Sequence, residues 1–214
     1  MVTESLKGKR VLITAGPTWV PVDNTRVISN IATGETGILL AKELQKLGAK
    51  VTLLLGPVNS CCLNKKIRLL HFKFFAELKD FVTKELKARK YDLLVHSAAV
   101  ADYQPSVVKR EKIKSGKKVL RLNLIPTQKI IDLMRKASPY SFLVGFKFEP
   151  GVNKKMLLKR ANILLCRSDL DLVVANNICK NRYQAYIVNK HKAFGPFQSK
   201  RILITNLTKA IIGF

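Results

Sequence analysis

Three observations in the sequence predict an α/β fold built on a mostly parallel sheet with helices on both faces. Short apolar runs of strand length alternate along the chain with longer stretches of helical periodicity, the order of a βαβ protein. The first run, from Val11 to Ile13, ends in Thr14-Ala15-Gly16, and after a polar loop Gly34-Glu35-Thr36-Gly37 opens a helical pattern. A later run ends in Ala98-Ala99-Val100-Ala101, so small residues stand where strands give way to loops and let a ligand approach the backbone. A buried strand, a crossing loop and a helix opened by small residues place N–H groups and a positive helix end at the carboxyl edge of a sheet. A phosphate-bearing ligand suits that place. The expectation is a Rossmann-like domain with its site on this edge, where Arg26 and Asn30 of the crossing loop face the ligand.

The elements follow in order. Residues 10–16 form strand one, and residues 35–47 a helix whose Ile38, Leu39, Ala41, Leu44 and Leu47 keep one apolar face. Gly48 supplies its left-handed stop. Residues 50–55 form the second strand, closed by Gly56-Pro57, and the unit requires a parallel pair with a right-handed crossover. A third strand over 67–72 precedes an amphipathic helix over 74–90, with Phe74, Leu78, Phe81, Val82 and Leu86 on its stripe. Its Lys84, Lys87 and Lys90 suit the negative end of the helix dipole. Strand four, over 91–95, runs into His96-Ser97-Ala98-Ala99-Val100-Ala101-Asp102-Tyr103.

From 104 to 123 the pattern changes. Lys109, Arg110, Lys112, Lys114, Lys117, Lys118 and Arg121 crowd around one acid, Glu111, and Ser115-Gly116 signals a turn. Residues 107–113 and 119–124 are expected to pair there as a protruding basic hairpin, or flap. A helix over 126–136, a strand over 141–148, a helix over 154–166, a strand over 171–175 ending in Asn176-Asn177 and a late strand over 183–189 complete the reading. The tail over 202–214 is apolar and short. With no internal repeat or low-complexity linker, residues 1–214 are expected to form one domain.

Charge is the unusual quantity. The chain carries 39 Lys and Arg against 14 Asp and Glu, a net +25, within an otherwise ordinary composition of 47% hydrophobic residues. Such a field attracts polyanions, among them nucleotides, nucleic acid and anionic lipid; a lysine-rich solvated surface accounts for it equally well. The start of the sequence, polar and basic, does not resemble a signal peptide, and no window approaches the ~20 apolar residues of a membrane helix. Cys61, Cys62, Cys166 and Cys179 form no CxxC pair and read as reduced thiols of a cytoplasmic protein.

Single motifs carry little. There is no Gly-Lys-Ser/Thr of a P-loop and no G-x-G-x-x-G, only Gly34-x-x-Gly37. Tyr186-x-x-x-Lys190 has the spacing of short-chain dehydrogenases, but lies in an alternating strand pattern rather than on a helix. His71, His96 and His191 lack metal-ligand spacing, so no protein-held metal is expected. A Rossmann oxidoreductase and a basic nucleic-acid binder remain alternatives on these grounds alone, although no nucleic-acid module appears in the sequence.

The ordered combination is more specific. Thr14-Ala15-Gly16-Pro17-Thr18, Asp23, Arg26-Val27-Ile28-Ser29-Asn30, Thr33-Gly34-x-x-Gly37, Gly56-Pro57-Val58, Ala98-Ala99-Val100-Ala101-Asp102-Tyr103, Glu111-Lys112-Ile113-Lys114, Val144-Gly145-Phe146 and Val174-Ala175-Asn176 occur in one sequence. Over residues 7–190 this resembles the phosphopantothenoylcysteine synthetase (phosphopantothenate–cysteine ligase) family of coenzyme A biosynthesis, in its stand-alone form. The resemblance implies that a 4′-phosphopantothenate carboxylate attacks CTP, or ATP in eukaryotic members, with Mg²⁺ present. Pyrophosphate leaves, and the amine of L-cysteine then displaces the nucleoside monophosphate.

Residue by residue, the resemblance implies that Asn30 handles the acyl intermediate and that Lys112, on the flap, closes over the reacting phosphates. Gly16, Gly34, Gly37, Ala98, Asp102 and Phe146 match nucleotide-contacting positions, and Arg26 and Asn176 match substrate-contacting ones. Two lysines that bacterial members place on a later helix align with Leu164 and Ser168, so Lys147, Lys159, Arg160 or Arg167 would hold the triphosphate instead. The resemblance further implies a homodimer, with a flavin decarboxylase as a separate protein.

Overall fold

A computed structural model describes residues 5–58, 63–179 and 182–212; the adjacent Cys61 and Cys62 lie outside them. Eight strands form one sheet, in the order β12-β11-β10-β9-β6-β1-β4-β5. β1 (Arg10–Ala15) is central and runs parallel to both β4 (Lys50–Leu55) and β6 (Leu93–His96). β5 (Arg68–His71), β9 (Phe142–Phe148) and β10 (Leu172–Cys179) extend the parallel set. β11 (Arg182–Val188) and β12 (Ala193–Phe197) close one edge as antiparallel strands.

The central strands are apolar on both sides because both sides are covered. Val11 and Ile13 point to the face packed by α1 (Glu35–Lys46) and α5 (Lys200–Ile212), while Leu12 points to the face of α2 (Phe75–Ala88), α3 (Ile130–Ala137) and α4 (Lys154–Arg167). The same division places Leu53 against the first pair and Leu54 against the second group. α1 ends as read from the sequence: Gly48 takes φ of 89°, and the N–H groups of Gly48 and Ala49 donate to Gln45 O and Leu44 O.

Several boundaries differ, each for a local reason. The crossing loop contains a two-stranded ribbon, β2 (Trp19–Pro21) with β3 (Val27–Ser29), too short to show an alternating pattern. The expected 107–113/119–124 hairpin does not form. β7 (Tyr103–Pro105) pairs instead with β8 (Leu124–Pro126) at the root of the segment, and residues 106–123 form an arm without strand. Seven cations paired across a narrow ribbon would repel one another, so the ladder stops where they begin. Pro126 therefore belongs to a strand, and α3 starts only at Ile130. The apolar tail is helix α5, buried through Leu203, Ile204, Leu207 and Ile211. On α2 the innermost residues are Phe75, Leu78, Val82 and Glu85, whereas Phe81 and Leu86 are only partly covered.

One packing constraint makes a prediction. A Cβ on Gly56, at the end of β4, would lie 2.2 Å from Pro17 O, a main-chain atom with no freedom to retreat. Gly56→Ala is expected to cost about 2–3 kcal/mol and to lower Tm by about 5–10 °C, checked by thermal unfolding.

Candidate active site

The carboxyl edge of the sheet collects the glycines singled out in the sequence, and sterics explain each. Gly16 leaves β1 at φ of 81°, 3.1 Å between its absent Cβ and Gly56 N. Gly34 caps α1 at φ of 69°, packed on Gly16 N. A Cβ on Gly37 would meet Ala15 Cβ at 2.5 Å and Ser97 Oγ at 2.6 Å. The first turn of α1 thus rests directly on the ends of β1 and β6, and its positive end opens there.

The run after β6 is fastened from several sides. Ser97 Oγ donates to Thr14 O at 2.7 Å, and Thr18 Oγ1 accepts from the Ala101 N–H at 2.9 Å. Thr127 Oγ1 donates to Ala101 O at 2.6 Å. Asn30, exposed, donates from Nδ2 to Ala99 O at 3.2 Å and Val100 O at 3.0 Å. The structure therefore brings Asn30 together with the backbone beyond Ala98. Asp102, exposed in the same run, pairs with Lys129 at 2.5 Å.

His96 packs at this edge with Nδ1 2.8 Å from Thr14 Oγ1, and desolvation lowers its pKa to about 4 despite the nearby Asp132. The folded chain thus favours neutral His96, while the unfolded chain titrates it near 6.5. Stability from this group is full above pH 6.5 and falls, by up to about 3 kcal/mol, as pH drops toward about 4. His96→Gln is expected to flatten that acid limb in urea unfolding measured across the range.

Two further strands reach the same edge. Phe146 on β9 is partly buried beside Val174 of β10. On β10, Asn176 Oδ1 is shielded without a hydrogen-bond partner among the described residues, and burial with Glu35 pushes the hydroxyl of the neighbouring Tyr183 up to about 12. Among the proposed triphosphate-holding cations, Lys147 and Arg160 both pair with Glu149, Lys159 is exposed, and Arg167 donates to Ser168 Oγ.

The arm is anchored by a residue that the sequence pattern contained without revealing its role. Asp23 is buried and accepts from the N–H groups of Thr25 and Arg26, from Thr25 Oγ1, from Arg26 Nη1 at 2.6 Å and from the Ile113 N–H at 3.0 Å. The Ile113 N–H does most to hold its carboxyl well below the usual carboxylate range. Arg26 Nη1 also donates to Ile113 O at 3.2 Å, and the Lys109 N–H donates to Val22 O. Arg26 therefore engages the arm, and Lys112 is exposed immediately beside the Ile113 anchor. The Asp23-x-x-Arg26 spacing signals a turn, but only the fold shows that its carboxylate receives a residue 90 positions away.

Among the described residues, no group of three His, Cys, Asp or Glu is placed to hold a metal ion, and no helix is long and apolar enough to cross a membrane. Asp102, Glu149 and Glu35 at this edge are each paired with Lys or Arg.

Comparison with known proteins agrees with this architecture. The chain is 37% identical over 203 residues to the coenzyme A biosynthesis bifunctional protein CoaBC of Thermococcus kodakarensis, covering 94% of this chain and 46% of that protein. It thus spans about half the length of the curated relatives it matches. The DNA/pantothenate metabolism flavoprotein structure from Streptococcus pneumoniae superposes with a TM-score of 0.85 at 26% identity, covering 95% of this chain and 98% of that one. A Cab2 variant in complex with phosphopantothenate-cysteine shares the fold, with a TM-score of 0.72 at 20% identity over 96% of this chain and 86% of that one. The family model for the DNA/pantothenate metabolism flavoprotein C-terminal domain matches residues 6–211, and with its glycine-lined edge and crossing loop in place the chain belongs to that family.

Proposed function

We propose that this chain joins 4′-phosphopantothenate to L-cysteine at the expense of a nucleoside triphosphate, through an acyl-nucleotidylate, as a step of coenzyme A biosynthesis. The observation that carries this reading is the convergence of the Gly16–Gly34–Gly37 cradle, the N-terminus of α1 and Asn30 on the backbone of residues 98–102. The matched half of a CoaBC protein and the ligand in the Cab2 complex support it.

The chemistry requires a carboxylate to approach a polyphosphate, so negative charge has to be neutralised on both. The nucleotide lies along the cradle and the 98–102 backbone, with Asp102 and Phe146 toward its nucleoside and the α1 N-terminus toward its phosphates. Mg²⁺ accompanies the triphosphate as part of that substrate. Lys112 supplies positive charge where pyrophosphate departs, and Asp23 positions it through Ile113. Arg26 and Asn176 contact the acid substrate. Asn30 serves the acyl intermediate: its amide already binds two carbonyl oxygens, and it exchanges one for the substrate oxygen that gains charge. The reading is tested by pyrophosphate release with phosphopantothenate, comparing CTP with ATP, with and without cysteine. Release that needs phosphopantothenate, with product that needs cysteine, supports it; nucleotide turnover independent of both overturns it.

The working unit in this proposal is a cytoplasmic homodimer. Val107, Val108, Val119, Leu120 and Leu122 are all exposed on the arm, more apolar surface than a lone charged segment leaves in water. Beside the arm's root lies a groove of about 760 Å³ lined by Trp19, Pro21, Phe74, Pro105 and Val108. A second copy would cover both surfaces symmetrically. Light scattering is expected to give twice the chain mass, and Val119→Asp with Leu120→Asp to shift it toward monomer. An active wild-type monomer overturns this part.

A further inference from the structure

The sheet has a second end that the proposed reaction does not use. At the amino edge of β1, β4 and β5 a cavity of about 520 Å³ is walled by Arg10, Lys46, Lys50, Lys66, Arg68 and Arg89, with no Asp or Glu in its lining. β1 spans six residues, so this cavity lies roughly 17 Å from the glycine cradle. Its cations come from the starts of β1, β4 and β5, the turn before β5, and the ends of α1 and α2. Arg10 and Lys50 are register partners on adjacent strands, where like charges oppose each other.

Two cations are held in fixed poses. Glu85, 5% exposed, accepts from Arg68 Nη1 at 2.6 Å and Arg89 Nη1 at 3.0 Å, and the Tyr91 hydroxyl donates to the same oxygen at 2.6 Å. Glu85 thus orients two guanidinium forks while remaining outside the cavity wall. Lys46 pairs with Glu43 at 3.5 Å. Asp92 accepts from the Arg10 main-chain N–H and pairs with Lys9, not with the Arg10 guanidinium. Arg10, Lys50 and Lys66 have no acidic partner among the described residues.

Arg10, Lys50 and Lys66 leave positive charge uncompensated on a concave surface, which concentrates the field, and guanidinium groups match phosphate oxygens in pairs. We infer that this cavity is a second ligand site, separate from the nucleotide edge, that takes a small polyphosphate-bearing anion. The volume suits a small molecule rather than a duplex or an extended strand. A nucleoside polyphosphate and free inorganic polyphosphate share the required chemistry. The inference goes beyond the ligase reading and does not depend on it.

The test is amide NMR of the whole chain titrated with inorganic tripolyphosphate, with a nucleoside triphosphate and with the nucleoside alone. Tripolyphosphate is expected to shift Gly48, Thr52 and Arg68 saturably, with an affinity distinct from any shift at Gly16, Gly34 or Ala98. Lys50→Gln with Lys66→Gln should weaken the first set at least about tenfold and leave the second unchanged. Lys190→Gln with Lys192→Gln, at the far edge of the sheet, should change neither. A nucleoside triphosphate that moves the same amides more tightly than tripolyphosphate identifies a nucleotide as the ligand; equal affinity identifies the polyphosphate moiety. Non-saturating shifts spread over the surface, equal weakening by both double variants, or the same saturable shifts with the nucleoside alone would each overturn the site.

Discussion

Asn30→Asp is expected to lower product formation by about 10²–10³-fold while Tm changes by no more than a few degrees. The substitution removes the Nδ2 group that donates to Ala99 O and Val100 O, leaves only the Thr18 N–H of this loop on Ala99 O, and places a carboxylate against both carbonyls, at 3.2 and 3.0 Å. It also removes the donor proposed for the acyl oxygen, a loss of about 2.7–4 kcal/mol where such donors have been deleted singly. Because Asn30 is exposed, little packing is lost with it. Pyrophosphate release and amide formation need to be followed separately. The second should fall far more than the first, and wild-type turnover would remove Asn30 from the site.

Asp23→Asn is expected to reduce turnover about 10²-fold in the wild-type background and very little in a Lys112→Gln background. One amide oxygen can still accept from Thr25 and Arg26, but an NH₂ then faces the Ile113 N–H and Arg26 Nη1, donor against donor. The arm loses its anchor, and misplacement of a reacting group by about 1 Å can cost that factor. Lys112→Gln removes charge at the departing pyrophosphate, so after it the position of the arm matters less. A double-mutant cycle therefore separates a positioning role from a merely structural one. Tryptic cleavage within 109–121 offers a readout independent of activity, since the arm carries seven cleavable cations. Asp23→Asn should accelerate it. Additive losses with unchanged cleavage would refute the anchoring role.

The sequence by itself determined the layered order of this protein. Central strands buried on both faces have no solvent side, so their apolar runs are nearly unbroken. Helices with one solvent side keep a period, and Gly48 stops α1 because only glycine adopts that φ without strain. The small residues at the ends of β1 and β6 were legible for the same reason: a Cβ at Gly37 collides with Ala15, which is a local fact of a helix laid on a strand. Asn30 and residues 98–102 could be placed at one edge because parallel strands all end on the same side.

What only the tertiary structure decided are pairings between distant segments. Nothing near residue 113 indicates that its N–H will reach the carboxylate of Asp23, and nothing near Glu85, beyond Arg89 one helical turn on, indicates that Arg68 and Tyr91 close around it. The failed flap hairpin has the same origin. Turn chemistry at Ser115-Gly116 favours a ribbon locally, whereas like-charge repulsion along the arm and the anchor at residues 22–26 favour an irregular chain, and the long-range terms prevail. The apolar tail was ambiguous until its partner was known: Leu203, Leu207 and Ile211 form a helix face because α1 and β11 present the surface that buries it.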